Sequence, residues 1–270
     1  MTTETFELTG RQQRELEYYE KYSTSFDANQ ILNFEPVTSK SKRPWNSYWS
    51  VFHLAEKCFE PGDTLLDFGS GPGVNALMFA QLGYEVEGFD ISESNVYISQ
   101  KLAEKYDLDK KAFFLTCQAE KLVYPDNHFN FIAGIDILHH VDIEKAMKEC
   151  RRVLKSGGVA VFREPIEVPF FDKVRNCALV RFFFPNNKSF ELHITEDERK
   201  LNENDLKIIR SVFPRSKFKR FTVLSRLDRF FRKESDPTPS FLEKMDYFLI
   251  RHIPFLKNFG GGLVIFLRKE

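Results

Sequence analysis

A chain of 270 residues, 42% of them hydrophobic and 29% charged, can bury one large α/β core and has the composition of an ordinary soluble domain. Its 39 basic and 39 acidic side chains cancel, so no global field draws it to nucleic acid. Four scattered cysteines (Cys58, Cys117, Cys150, Cys177) form no C-x-x-C pair, residues 1–14 are polar, and no run of about 18 apolar residues occurs; the expectation is a cytoplasmic protein with reduced thiols and no membrane span.

From the N-terminus, Thr9-x-x-Gln12 is a capping-box signature that opens a helix over residues 8–22. A polar linker leads to Pro44, after which Trp45, Trp49, Phe52 and Ala55 recur at helical spacing and predict an amphipathic helix over 45–59. Strands and helices then alternate. Strands are expected at 64–68, 85–89, 112–117, 129–135 and 159–163. The intervening helices start near Val74, at the Ser92 cap and at the Asp142 cap; Gly83 stops the first, and the last ends near Lys155. This alternation implies parallel strands joined by right-handed crossovers. After Glu164-Pro165 it lapses into an irregular, phenylalanine-rich stretch at 166–200. A helix at 202–213, a strand at 217–225, a helical insertion at 226–259 and a closing strand at 262–268 complete the chain. The expected fold is α/β, a doubly wound, seven-stranded, mostly parallel Rossmann-like sheet in a single domain over 1–270. Residues 1–60 form an N-terminal helical lid, with Trp45, Tyr48 and Trp49 closing over the ligand. Residues 62–165 form the binding core, and 166–200 and 226–259 are substrate-side insertions.

Such sheets bind ligands beyond the carboxyl ends of their strands, where strand order reverses, so each strand tip is a candidate. At the first tip, Asp67-Phe68-Gly69-Ser70-Gly71-Pro72-Gly73 places three glycines in a strand-to-helix turn. The third glycine comes one residue too early for the G-x-G-x-x-G of dinucleotide sites. Amides over Gly69, Ser70, Gly71 and Gly73 suit a carboxylate, and Asp67 suits an ammonium group. At the second tip Asp90, followed by Ile91, can accept both hydroxyls of an adenosine ribose.

The D-x-G-x-G-x-G turn resembles motif I of the class I S-adenosylmethionine (SAM) dependent methyltransferases. Three further segments are similar to that family. Cys117-Gln118-Ala119-Glu120 resembles its G-D-A-E, with Gln118 in place of Asp; residues 134–141, G-I-D-I-L-H-H-V, resemble its s-s-x-x-l-H-H-v; residues 152–158 resemble its R-V-L-K-P-G-G, with Ser156 in place of Pro. The resemblance spans about 62–165 and implies SAM as cofactor. Gln118, Ala119 and Glu120 would then meet the adenine, and the carbonyls of Gly134 and Ile135 would face the methionyl ammonium.

Methyl transfer from a sulfonium asks mainly for alignment and exclusion of water, and for a base only if the acceptor loses a proton. His139 is the first choice for a residue facing the pocket, because its titration range suits proton abstraction. Glu164 is the second, with His140 and Asp136 nearby. Asp136 and Glu164 occupy the tips where metal-dependent relatives hold magnesium, but Pro165 stands where a third oxygen ligand is wanted, so no metal is expected. No D/N-P-P-Y/F segment follows the fourth strand, and no cysteine is placed as a nucleophile. What remains is a small-molecule acceptor, with no nucleic acid. Phe170, Phe171, Phe182, Phe183 and Phe184 suggest a greasy wall and an apolar, lipid- or glycolipid-like acceptor. Arg215, Lys217, Lys219, Arg220, Arg226, Arg229, Arg232 and Lys233, interleaved with Phe218, Phe221, Phe230 and Phe231, suit anionic lipid headgroups at a membrane surface or a phosphorylated substrate. No motif bears on oligomeric state. Two alternatives stay open: a non-catalytic binding module of the same fold, and an NAD-linked oxidoreductase, which the glycine spacing disfavours.

Overall fold

The computed structural model describes residues 8–24, 26, 31–38, 46–169, 199–230 and 238–270. Three helices come first: α1 (Gly10–Ser23), a single turn α2 (Glu35–Thr38), and α3 (Ser47–Cys58). The core then runs β1 (Thr64–Phe68), α4 (Val74–Gln81), β2 (Glu85–Asp90), α5 (Glu93–Lys105), β3 (Ala112–Thr116), β4 (Phe129–Ile135), α6 (Ile143–Val153) and β5 (Leu154–Pro165). After it come α7 (Glu203–Val212), β6 (Lys217–Phe221), α8 (Phe241–His252) and β7 (Gly262–Arg268).

The seven strands lie in the order β3-β2-β1-β4-β5-β7-β6. β1 is parallel to both β2 and β4, so the strand order reverses there. β7 is antiparallel to β5 and to β6. A dinucleotide sheet of order 3-2-1-4-5-6 has no such strand between its fifth and sixth. Period-2 alternation splits the core in two. Leu65, Phe131, Ala133, Val161 and Val264 face α3, α4 and α5, where Phe52 stacks on Phe79 with centroids 4.7 Å apart. Leu66, Ile132, Ala160, Phe162 and Ile265 face α6 and α7 on the other side.

Local chemistry explains the helix starts. Thr9 and Gln12 form the expected capping box, and Ser92 and Asp142 cap α5 and α6. α3 differs from expectation: Asn46 caps it, accepting from the Trp49 amide at 3.1 Å, so the helix starts after Pro44. α3 is also not a lid. Trp49 is buried in the core, and Tyr48 donates to Asn75 Oδ1 at 2.9 Å. β5 starts earlier than the apolar pattern implies, because residues around Gly157, at φ 80°, bulge between two pairings with β4 and are held by Lys269. β6 is shorter than expected, ending at Phe221. Trp45, Cys177, the phenylalanines at 170–184 and the stretch 231–233 lie outside the described residues.

Much of the basic run after Arg215 serves the fold. Arg226 donates to the carbonyls of Thr222, Val223 and Phe259, Arg220 pairs with Glu203, and Lys219 lies 4.6 Å from the centre of the buried Phe221 ring. Burial pulls the Lys219 ammonium below its ordinary pKa.

Candidate functional site

The glycine turn leaves β1 at the switch point. Gly69 and Gly73 sit at φ 76° and 81°, and a Cβ on them would come within 2.6 Å of Ile137 and 2.7 Å of Ser99. Ser70 donates through its amide and hydroxyl to the Phe89 carbonyl, tying the turn to β2. At the end of β2 the Asp90 carboxylate is a hub: Oδ2 accepts from the Gly71 amide at 2.9 Å, and Oδ1 from the Ser92 amide at 3.0 Å and Asn95 Nδ2 at 3.1 Å. Burial raises its pKa above the ordinary carboxylate range.

Beyond these tips lies a cavity of about 220 Å³. Gly69, Ser70, Gly71, Pro72 and Asn75 form one wall, and Phe89, Asp90 and Ile91 a second. Cys117, Ala119 and Glu120 come from the third tip, and Ile135, Asp136, Ile137, His140 and Val141 from the fourth. Gln12, Glu15 and Tyr19 of α1 cover it.

α1 is latched down by polar contacts. Gln12 Nε2 donates to Glu120 Oε2 at 2.9 Å, and Arg11 donates to the His139 carbonyl at 2.6 Å. Glu20 accepts from Ser92 Oγ at 2.7 Å and from the Ser94 amide and hydroxyl. Burial works against the Glu20 carboxylate, but these donors outweigh it and hold its pKa below the ordinary value. His140 joins the lid to the fourth tip, with Nδ1 3.0 Å from Glu15 Oε2 and Nε2 3.0 Å from the Tyr19 hydroxyl.

Four carboxylates line the cavity (Glu15, Asp90, Glu120, Asp136), and no lysine or arginine does among the described residues. Asp136, in the left-handed region at φ 57°, pairs with Arg163. Such a wall suits a ligand with a net positive charge and opposes a pyrophosphate.

The expected residues divide accordingly. Gly69, Ser70, Gly71, Asp90, Ile91, Ala119, Glu120 and Ile135 line the cavity. Gly73 packs on Ser99 and Gly134 under the Phe162 ring, both supporting the wall from behind. Gln118 is buried outside the lining, with no partner for Nε2 among the described residues. His139, expected to face the pocket, turns away from the described cavity and sits 2.7 Å from Glu164 Oε2. Glu164 is fully buried and spends Oε1 on the amides of Ile137 and Leu138 at 2.9 and 2.8 Å. Its three contacts shape the turn that presents His140. Among the described residues no cluster of three metal-ligating side chains occurs. Sequence reasoning missed the α1 residues, whose spacing at 12, 15 and 19 marks one helix face.

Asp67 lies beneath the turn, 1% exposed, its Oδ2 without a partner among the described residues. Burial raises its pKa to about 7, against a bond from the Ala76 amide and with the Asp90 charge adding to the rise. A carboxyl raised on folding contributes stability that is full below about pH 4 and lost as pH climbs towards 7. Asp67→Asn is therefore expected to leave the ligand-free protein's urea midpoint unchanged near pH 4. Near pH 8 it should raise stability by up to about 4 kcal/mol.

Residues 66–162 match the family described as "Methyltransferase domain". Residues 66–162 thus carry a methyltransferase domain. Two curated methyltransferases are similar across this core. One is the 27-O-demethylrifamycin SV methyltransferase of Amycolatopsis mediterranei, 34% identical over 40% of this chain and 40% of its own length. The other is a ubiquinone/menaquinone biosynthesis C-methyltransferase of Cupriavidus metallidurans, 35% identical over 43% of this chain and 49% of its own. The chain thus spans less than half of the length of these relatives. The methyltransferase fold extends further than the sequence match. Geranyl diphosphate C-methyltransferase from Streptomyces coelicolor A3(2), solved with Mg2+, geranyl diphosphate and S-adenosyl-L-homocysteine, superposes with a TM-score of 0.60 over 97% of this chain and 98% of that one, at 15% identity.

Proposed function

We propose that the protein transfers a methyl group from SAM to a small-molecule acceptor with apolar, lipid- or glycolipid-like character. The observation that carries this reading is the acidic lining without a cation, beneath a glycine turn and beside Asp90. SAM bears a sulfonium and an ammonium against one carboxylate, so its net charge complements that wall, whereas NAD would set a pyrophosphate against it. The fit extends to single groups: Asp90 lines the cavity where a ribose edge would lie, and Asp67, buried behind the lining, leaves Oδ2 without a partner among the described residues, an acceptor for a water that bridges to the ammonium. When bound, SAM supplies a methyl group already activated by the positive sulfur.

The chain's own residues position and deprotonate. α1 shuts water out of the cavity through its contacts with Glu120, His140 and Ser92. Tyr19, His140 and Glu15 form a relay. A Glu15 carboxylate accepting from His140 Nδ1–H leaves Nε2 to accept from the Tyr19 hydroxyl, so that as Tyr19 takes a proton from an acceptor O–H, N–H or C–H its own proton passes to Nε2. His140 thus takes over the role expected of His139. The small organic acceptors in the relatives' names support the substrate class.

Labelled SAM offered with phenols, quinone precursors and prenyl phosphates should pass its label to an extractable small molecule; label found only on protein or nucleic acid overturns the substrate class. Tyr19→Phe is expected to lower kcat by roughly 10²-fold and leave S-adenosylhomocysteine (SAH) affinity nearly unchanged. An unchanged kcat removes the relay.

A further inference from the structure

α8 and the 3-10 turn after it, Pro254–Phe259, present an outward face that neither the fold nor the cofactor site uses. Phe241, Phe248 and Phe255 are 73%, 59% and 61% exposed, with Tyr247 and Ile253 also open to solvent. Phe241, Lys244, Phe248 and Arg251 fall at helical spacing on one stripe, and the exposed Lys257 follows Phe255.

The acids of this segment point the other way. Glu243 is buried at the α8 N-terminus, bonded to Ser240 and Asn46. Asp246 is buried and accepts from the amides of Val223, Leu224 and Ser225. Every formal charge left on the exposed face over 241–259 is therefore positive. Topology sets this face on the ligand edge of the sheet. β5 ends at Pro165 and β6 at Phe221, both opposite Gly262, so the described residues 222–230 and 238–261 leave and return at the same strand ends as the cofactor cavity.

We propose that this α8 face is a peripheral docking surface for an anionic lipid bilayer. Aromatic rings interleaved with lysine and arginine and no outward acid are what an interfacial helix needs: rings enter the acyl boundary while the cations reach headgroups. A second copy of the chain fits less well, because a two-fold contact would set these cations against themselves. The surface is independent of the catalytic reading.

The test is sedimentation of the full chain with phosphatidylcholine vesicles, with and without phosphatidylglycerol. Expected is salt-sensitive binding to the anionic vesicles, weakened roughly a hundredfold in Lys244→Glu/Arg251→Glu/Lys257→Glu, since each surface cation contributes about fivefold. Phe248→Ser/Phe255→Ser should weaken it too. All five positions are exposed, so both variants should keep the wild-type melting temperature and SAH affinity. No binding to anionic vesicles, or binding undiminished in both variants, overturns the proposal. So does a wild-type dimer that the phenylalanine variant converts to monomer, which would assign the face to a second copy.

Discussion

Asp90→Ala is expected to weaken SAH binding by roughly 10²–10⁴-fold in calorimetric titration. The carboxylate is the one group at the second tip able to accept both ribose hydroxyls, and hydrogen bonds to a charged acceptor contribute about 1.5–3 kcal/mol each. Losing two corresponds to roughly 10²–10⁴-fold in affinity. The same substitution strips the acceptor from the Gly71 and Ser92 amides and from Asn95 Nδ2. The turn therefore keeps only the Ser70 tie to Phe89 of β2, adding about 1–3 kcal/mol of destabilisation. Titration well below the variant's melting temperature separates the two effects. An affinity within about threefold of wild type, on a folded variant, would remove Asp90 from the ribose site.

Glu164→Ala is expected to damage folding more than chemistry. It leaves the amides of Ile137 and Leu138 and the His139 ring without their acceptor in a fully buried position. Leaving buried hydrogen-bonding groups without a partner costs about 1–3 kcal/mol each, a large share of a domain's stability when three are stranded. Glu164→Gln keeps an oxygen for both amides and should recover most of that loss. Its kcat should stay within about fivefold of wild type, since the side chain shapes the His140 turn without lining the described cavity. A loss beyond about a hundredfold at a wild-type melting temperature would instead make Glu164 part of the chemistry, as the strand-tip position suggested from sequence.

The sheet was legible wherever one local signal decided it. Short apolar runs placed β1, which Gly69 ends, and β4, which Asp136 follows, to the residue, and the Thr9–Gln12 capping box placed α1. The start of β5 was not legible, because Lys155 to Gly158 look like a turn, and Gly157 and Gly158 pair with Lys269, just past β7 and distant in sequence. The lid expected over 1–60 includes α1, which covers the cavity, but its aromatic anchors fall on α3. Trp49 and Tyr48 looked like a cover because they are large and aromatic, yet their apolar spacing buries α3 in the core. The buried face of α1, Gln12 and Glu15, finds partners distant in sequence, Glu120 and His140, which no local signal announces. The two adjacent histidines had the same sequence signal, and only the Glu164 contact tells which one turns inward.

The most direct measurement is calorimetric titration of the wild-type chain with SAH and, in parallel, with NADH. Expected are a single site for SAH, with proton release near pH 7 if the ligand's ammonium ionises Asp67, and no heat from NADH. Binding of NADH, or no binding of SAH to the folded protein, would contradict a cavity built for the sulfonium cofactor.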